Sequence, residues 1–441
     1  VKTRIEGETQ NSSGEHDEGF VFFAFADING VLRGKAFTRS AFQSVRDRGH
    51  TAVTNLLLAV DPVDEPITTF AELGINGGAE DLRMVPIDGA MWRLPWNSQA
   101  SLAFGELELD EGVPCELAPR SVLARAEQRL ADLGFDTLAA FEYEVRLSSI
   151  ADGTPATPGR SYSIHGVERA MEFVSAFQSA CAAMDLGLSA VHTEAGPGLI
   201  EINLDASSAL EAADRAVLVR HALTEVAASL GMEVSLLAKP RAGEEGSSGH
   251  IHMSLWRDGA NAMAADEGQE LSPVLSQSVA GLLEHLSAAS LCMNPTVNSY
   301  KRLVPGFFAP VNRSWGLDNR STAVRAIVDC EPKMARIEVR RPGVDANPYL
   351  ALASMLVSVA LGLEQSLDPG PPASGDISES ADIEALPGSL ESAIAAFEAD
   401  EAFRNALGAE FSDYFAVTRA WELRAWQRAV TSWELDRYGA P

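Results

Sequence analysis

The chain has 441 residues, 46% of them apolar, enough to bury a full core and to build two or three domains. Lys plus Arg is 34 against 62 for Asp plus Glu, a formal charge of −28 that opposes nonspecific attraction to nucleic acid or to anionic lipid and favours small, cationic or metal-borne partners. Cys115, Cys181, Cys292 and Cys330 lie far apart with no C-x-x-C pair, which excludes a thiol-based metal site and fits a reducing compartment, most simply the cytoplasm.

Residues 1–18 are rich in Ser, Gly, Asn and Glu and predict a flexible arm. The amino-terminal stretch lacks an apolar centre and no run reaches the ~18 apolar residues that span a bilayer, so neither signal peptide nor membrane anchor is expected. VFFAFADINGVLRGKAF (21–37) predicts two strands joined at Asn29-Gly30, a strong hairpin dipeptide. Short apolar runs with Pro and Gly then continue to about 105 and predict a small sheet-rich domain over 19–112. After a break at DEGVPCELAPRS (110–121), a second domain is expected over 113–441. Helix patterns cover 119–133, 165–186 and 207–230 and close at Gly134, Gly187 and Gly231. The Pro-, Ser- and acid-rich segment 366–389 predicts an irregular surface stretch, followed by helices carrying Trp421, Trp426 and Trp433.

Four segments among these helices alternate strictly: FEYEVRL (141–147), LIEINLD (199–205), GHIHMSLW (249–256) and RIEVRR (336–341). Strand side chains point to opposite faces with period two. Glu142, Glu144 and Arg146 therefore share one side and Phe141, Tyr143, Val145 and Leu147 the other. The same holds for Glu201 and Asn203, for His250 and His252, and for Arg336, Glu338 and Arg340 against their apolar neighbours. A sheet of these strands has an oily back, covered by helix, and a charged front. Carboxylates crowded on one face take up protons unless cations neutralise them, which marks the front as a candidate divalent-metal site. Glu194 and Glu201 flank the bend Gly196-Pro197-Gly198, which either returns both to one cation or is an ordinary acidic turn. The spacing of His250 and His252 does not choose between Zn²⁺ and Mn²⁺ or Mg²⁺, and a buried structural pair is the plainer alternative. GVLRGKAF falls one residue short of a phosphate loop and lacks its Ser or Thr. The run 294–356 is dense in Arg and Lys, which suits carboxylate or phosphate ligands or else internal salt bridges.

That run, with DINGVLRGK, FEYEV, HTEAGPGLIEINL and GSSGHIHMSLW in the same order, resembles the glutamine synthetase family, class-I type, from about residue 20 to the C-terminus. The resemblance implies an α+β fold, with a small N-terminal β-grasp-like domain and a catalytic domain whose curved antiparallel sheet is backed by helices. It also implies a funnel-shaped site completed by a neighbouring subunit in stacked rings, a dodecamer. Carried over residue by residue, Glu144, Glu194 and Glu201 would hold a metal beside the amino-acid substrate, and Glu142, His250 and Glu338 one beside the ATP phosphates. Two or three Mg²⁺ or Mn²⁺ ions are thus implied alongside ATP. Arg302 would grip the substrate carboxylate, and Arg320 and Arg340 would support the transferring phosphoryl group. His252, Ser254, Arg325, Lys333 and Arg336 would line the nucleotide side, and Gly246 the glutamate loop.

The departures from the family pattern matter as much. In glutamine-forming members the segment matching VPGFFAPV carries a Glu that helps bind and deprotonate ammonium, and Phe308 stands in its place. The D-G-S-S motif with the second ammonium-binding acid is absent near ITTFAELGINGG (67–78). Glu245 replaces a usual Asn and Leu199 a usual Gln, and 366–389 has no Tyr to accept regulatory nucleotidylation. The expectation is an ATP-dependent ligase that joins the γ-carboxylate of glutamate to a small organic amine through a γ-glutamyl phosphate, with Phe308 at the amine. A glutamine synthetase with a remodelled ammonium site and a catalytically silent scaffold are the alternatives.

Overall fold

The computed structural model describes residues 19–266, 268–307 and 309–439, so the arm expected at 1–18 and Phe308 lie outside the described residues. The first sheet holds β1 (Phe20–Ala26), β2 (Leu32–Thr38), β3 (Thr51–Thr54), β4 (Asp81–Leu94), β5 (Asn97–Asp110) and β6 (Val113–Pro114), in the order β2-β1-β5-β4-β3 with β6 beside β5. β1 and β2 form the expected hairpin, paired from Phe20↔Thr38 to Ala26↔Leu32. Its turn works because Gly30 takes φ +75° without a Cβ penalty and Asp27 Oδ1 accepts the N–H groups of Asn29 and Val31, each at 2.9 Å. The sheet-rich reading did not anticipate α1 (Arg39–Arg48), which Thr38 caps and whose Phe42 meets Phe23 edge-on at 5.3 Å.

A second, ten-stranded sheet follows. After α2 (Pro119–Asp132) come β7 (Asp136–Ser149), α3 (Ile164–Arg169), α4 (Met171–Met184), β8 (Leu188–Thr193), β9 (Leu199–Leu204), β10 (Ser207–Ser208) and α5 (Ala209–Ser229). The chain continues through β11 (Met232–Ser235), β12 (Gly249–Arg257), β13 (Ala260–Asn261), α6 (Pro273–Met293), α7 (Ser299–Arg302), β14 (Trp315–Leu317), β15 (Val324–Ile327), β16 (Arg336–Val339) and α8 (Pro348–Glu364). Four helices end the described chain: α9 (Leu390–Ala399), α10 (Glu401–Leu407), α11 (Ala409–Arg428) and α12 (Ser432–Tyr438).

The main path of this sheet is β14-β15-β16-β12-β7-β9-β8. Its pairs are antiparallel except β14 with β15, so the sheet is mixed and the wholly antiparallel expectation is corrected. The loop 318–323, with Asp318 at φ +50°, carries the chain back so that β15 re-enters beside β14 in the same direction. Gly134, Gly187 and Gly231 all sit at positive φ where helices were expected to close. The pattern over 165–186 is nevertheless two helices, α3 and α4, broken at Ala170.

The alternating segments behave as their period dictates. Phe141, Tyr143, Val145, Leu147, Ile202, Ile251, Met253, Ile337 and Val339 are buried in one core continuous with the first sheet. Helices α5, α6 and α8 supply the rest of that layer, and α8 is buried along most of its length. Among the described residues no helix is long and apolar enough to cross a membrane.

Candidate functional site

On the charged face, register brings the acid and imidazole groups together. Glu142 pairs with His250 across β7 and β12, and His252 pairs with Glu338 across β12 and β16, so one diagonal crosses three strands. His250 Nδ1 lies 3.5 Å from Glu338 Oε1 and 3.8 Å from Glu142 Oε2, and His252 Nε2 lies 3.1 Å from Glu142 Oε1. One ligand atom from each of Glu142, His250 and Glu338 falls within 4.8 Å of the others. Glu338 is 1% exposed and is held from behind: Arg325 Nη1 donates to Oε2 at 2.9 Å and Arg340 Nη1 donates to Oε1. Burial alone would raise the Glu338 carboxyl, but Arg340, His250 and His252 outweigh it and bring it down to about 2. Glu142 is likewise held far below the usual carboxylate range against its own burial, by hydrogen bonds to both histidines.

A second triplet forms where the sequence reading placed only two of its members. β8 and β9 pair His192 with Glu201, and the bend at 196–198 brings Glu194 back beside them. His192 Nε2 is 3.1 Å from Glu201 Oε1 and Nδ1 is 3.3 Å from Glu194 Oε1, with ligand atoms of all three within 4.8 Å. Burial would lower the imidazole, but the two carboxylates raise it to about 10. Tyr162, at φ +53°, stacks on the imidazole at 4.3 Å between ring centroids. His192 was legible as half of H-x-E, the i, i+2 spacing that singled out Glu142 and Glu144.

Glu144, expected with Glu194 and Glu201, pairs with Glu201 across β7 and β9, and its Oε2 accepts the Ser248 N–H at 2.8 Å. Burial raises its carboxyl, and Glu201 opposite adds to the rise. A buried acid facing another acid is what a cation relieves.

A cavity of about 240 Å³ opens beside both triplets, lined among others by Glu144, Glu194, Glu245, Gly246, Arg302, Phe307 and Arg340. Arg302 is buried, donates through Nη2 to the carbonyls of Arg341 and Pro342 at 2.6 and 3.0 Å, and leaves Nε without a hydrogen-bond partner. Burial lowers its guanidinium to about 10. Gly246 has a steric reason: a Cβ there would come within 2.2 Å of Arg302 Cγ. The flap residue Phe307 lies under the Lys239 ammonium, 5.1 Å from the ring centre.

The remaining expected residues scatter. Arg340 Nε donates to the Arg320 carbonyl at 3.1 Å, and the exposed Arg320 borders a wide cleft with Asp318, Ser374 and Asp376. Arg336 Nε donates to His252 Nδ1 at 3.2 Å, and Ser254 Oγ accepts the Trp256 indole N–H at 3.0 Å. Lys333 is exposed and pairs with Glu331 at 3.1 Å, away from the triplets' hydrogen bonds. The segment 366–389, expected as plain surface, is strapped to the cleft. Asn312 and Asn319 bond the carbonyls of Ile377 and Gly375 at 2.9 Å each, and Arg341 bonds that of Pro387.

The donor sets fit hard divalent cations. Each triplet offers two carboxylates and one imidazole without a thiolate, and His250 Nε2 is buried with no hydrogen-bond partner. Oxygen-rich sites beside a cavity with a half-satisfied buried Arg suit an anionic substrate and phosphate oxygens.

Comparison with known proteins agrees with this chemistry. Residues 116–438 match the family model described as glutamine synthetase, catalytic domain. The chain is 32% identical over 442 residues to a glutamate–isopropylamine ligase of Pseudomonas sp, covering 96% of this chain and 95% of that protein. It is 34% identical over 430 residues to a gamma-glutamylethanolamide synthetase of Streptomyces coelicolor, covering 95% and 92%. A solved structure titled GmaS/ADP complex superposes with TM-score 0.83 at 28% identity, covering 96% of this chain and 97% of that one.

Proposed function

The chain belongs to the glutamine synthetase family as an ATP-dependent ligase of glutamate, and on that premise we propose that its acceptor is a small organic amine, not ammonium. The observation that carries this reading is the flap. Glutamine-forming members place an acid at the position of Phe308, and the adjoining Gly306 and Phe307 line the same cavity as Glu194 and Arg302. An aromatic wall offers apolar contact or a π-face to an alkyl or aryl amine and gives ammonium no fixed negative charge. Two similar proteins whose names include isopropylamine and ethanolamide support an organic acceptor.

Each residue has a part in this reading. Arg302, with an unpartnered Nε and two carbonyls fixing its plane, takes the α-carboxylate of glutamate. The γ-carboxylate then attacks the terminal phosphorus of ATP in line, ADP departs, and the γ-glutamyl phosphate forms. Arg340, which lines the cavity, and Arg320, whose carbonyl it binds, offset charge on the moving phosphoryl group. The amine nitrogen next attacks the acyl carbon, phosphate leaves, and the nitrogen gives up a proton. Glu142, His250 and Glu338 would hold one Mg²⁺ or Mn²⁺, and Glu194 and Glu201, with His192 and the adjacent Glu144, a second. Such ions, when bound, neutralise phosphate oxygens and lower the charge barrier to carboxylate attack. His252, Arg336 and Arg325 line the nucleotide side in this reading; Ser254, bound to the Trp256 indole, and Lys333, paired with Glu331, lie further out. Assembly into stacked rings belongs to the same reading.

The test is phosphate release by the purified protein with ATP, Mg²⁺ or Mn²⁺ and glutamate, comparing ammonium, ethylamine, ethanolamine, a diamine and an aromatic amine. An organic amine should exceed ammonium in kcat/KM by one or more orders of magnitude, since two or three buried methylenes supply roughly 1.6–2.4 kcal/mol. Ammonium as the best nucleophile of the set would sink the proposal and leave a glutamine-forming enzyme.

A further inference from the structure

One buried cation belongs to neither triplet and yet touches both loops that frame the amino-acid cavity. Arg146 stands on β7 two residues after Glu144, on the same face. Its side chain is only 6% exposed. Nη1 donates to the Pro197 carbonyl at 2.7 Å and forms an ion pair with Glu244 Oε2 at 2.8 Å, while Nη2 donates to the Glu245 carbonyl at 2.6 Å. The bend packs against it so closely that a Cβ on Gly196 would lie 2.5 Å from Nη2.

Each loop has contacts of its own: in the bend, the Leu147 and Leu199 N–H groups donate to the Gly198 and Gly196 carbonyls and the Gly198 N–H to that of Thr157, and in the other loop Lys239 and Arg241 meet Glu244; Arg146 joins the two. Pro197 sits in the bend that returns Glu194 toward Glu201 and His192. Glu244 and Glu245 lie in an irregular stretch ending at Gly246 against Arg302, without a ladder of strand hydrogen bonds. Acids crowd this region, with Glu144, Glu194, Glu201, Glu244 and Glu245 all near the cavity. Without the Arg146 guanidinium the Pro197 and Glu245 carbonyls would lose their donor, and the acids of the two loops would face each other with less positive charge between them. A planar guanidinium donates to two carbonyls in fixed directions while its charge faces Glu244, which a single ammonium on a flexible stem does not do.

We propose that Arg146 is a positioning residue that couples the two halves of the site, locking the metal-bearing bend to the amino-acid loop so that divalent cation and glutamate strengthen each other's binding. The proposal rests on the family reading for the identity of the amino acid, but not on which amine is the acceptor. It differs from a plain stability role in what it moves. A fold-wide loss would disturb ATP, glutamate and metal alike, whereas a lost clamp disturbs glutamate and the His192 triplet and spares the nucleotide side, which is held by Arg325, Arg336 and Arg340.

The experiment uses the assembled full chain as Arg146→Met, Arg146→Lys and Glu244→Gln. Bound Mn²⁺ is read by electron paramagnetic resonance with and without L-glutamate, and the KM values for glutamate and ATP are measured separately. In Arg146→Met, Mn²⁺ affinity at one site and the glutamate KM should each worsen about tenfold or more, the scale typical of groups that orient metal ligands, while the ATP KM stays within about twofold. The gain in Mn²⁺ affinity on adding glutamate should shrink by a similar factor. Arg146→Lys should recover part of the loss, and Glu244→Gln, which keeps both carbonyl contacts, should lose about threefold. Unchanged Mn²⁺ binding, or glutamate and ATP KM values that rise together, would overturn the proposal. If Arg146→Met does not assemble, the same criteria apply to the milder pair. Should no amine support turnover even in the unaltered protein, the family reading of the substrate fails, while the Mn²⁺ titration still decides whether the clamp exists.

Discussion

The two triplets share a composition, two carboxylates and a histidine, and differ in what stands behind them. Glu142, His250 and Glu338 come from three central strands, and Arg325 and Arg340 bind both oxygens of Glu338 from below. His192, Glu194 and Glu201 come from the β8–β9 edge hairpin, covered by the exposed ring of Tyr162 and supported by the β7–β9 ladder, by the bend's backbone contacts to Leu147 and Thr157 and by Arg146. Strand register and buried arginines preorganise the first site, whereas the second takes Glu194 from a bend outside the strand ladder. On the proposed reading the buried arginines support the phosphate end, where charge must be held in place, and the bend lies at the end where amino acid and amine enter.

The comparison breaks most sharply at Glu338. Glu338→Ala should abolish ATP-dependent phosphate release and, by taking the carboxylate from Arg340 and leaving Arg325 with Asp318 alone, cost about 3 kcal/mol of stability. Denaturant unfolding beside a phosphate-release assay measures both; retained turnover would remove the first triplet from the proposed chemistry. At the second site, His192→Gln should raise the Mn²⁺ requirement roughly 10–100-fold while shifting the melting temperature little, because the hairpin lies at the sheet edge. A large fall in melting temperature with an unchanged metal requirement would reverse the contrast drawn between the triplets.

Phe308→Glu tests the acceptor end of the proposed reaction. It should weaken small alkylamines by about an order of magnitude, with ammonium less affected, since roughly 0.8 kcal/mol per buried methylene is at stake. Equal losses for ethylamine and ammonium in kcat/KM would separate Phe308 from the acceptor.

The smallest effect is in the ion-free protein, where the triplets should respond to pH with opposite sign. Glu338 falls from 4.5 to about 2 on folding, so its contribution is complete above pH 4.5 and is lost as pH drops toward 2. His192 rises from 6.5 to about 10, so its contribution is complete below pH 6.5 and is lost as pH climbs through 10. Urea midpoints against pH in chelator should show Glu338→Gln flattening only the acid limb and His192→Gln only the alkaline one.

Much of this was legible in the chain itself, because period-two alternation in 141–147, 199–205, 249–256 and 336–341 decides which side chains share a face whatever the strands pair with. The oily back, the charged front, the Asn29-Gly30 hairpin and the glycine-closed helices follow from such local rules, and five ordered motifs sufficed to name the family. Register is a different matter: His192 opposite Glu201, Glu144 opposite Glu201 rather than beside a histidine, and the parallel β14–β15 pair depend on contacts between distant segments. So do the straps on 366–389 and the reach of Arg146 to Pro197 and Glu245, about fifty and one hundred residues away in the chain. Alternation, a property of a single strand, set the chemistry available on each face, and the family resemblance grouped the acids; that His192 joins Glu194 and Glu201, and that Arg146 ties the bend to the 244–246 loop, came from how strands and loops meet in three dimensions.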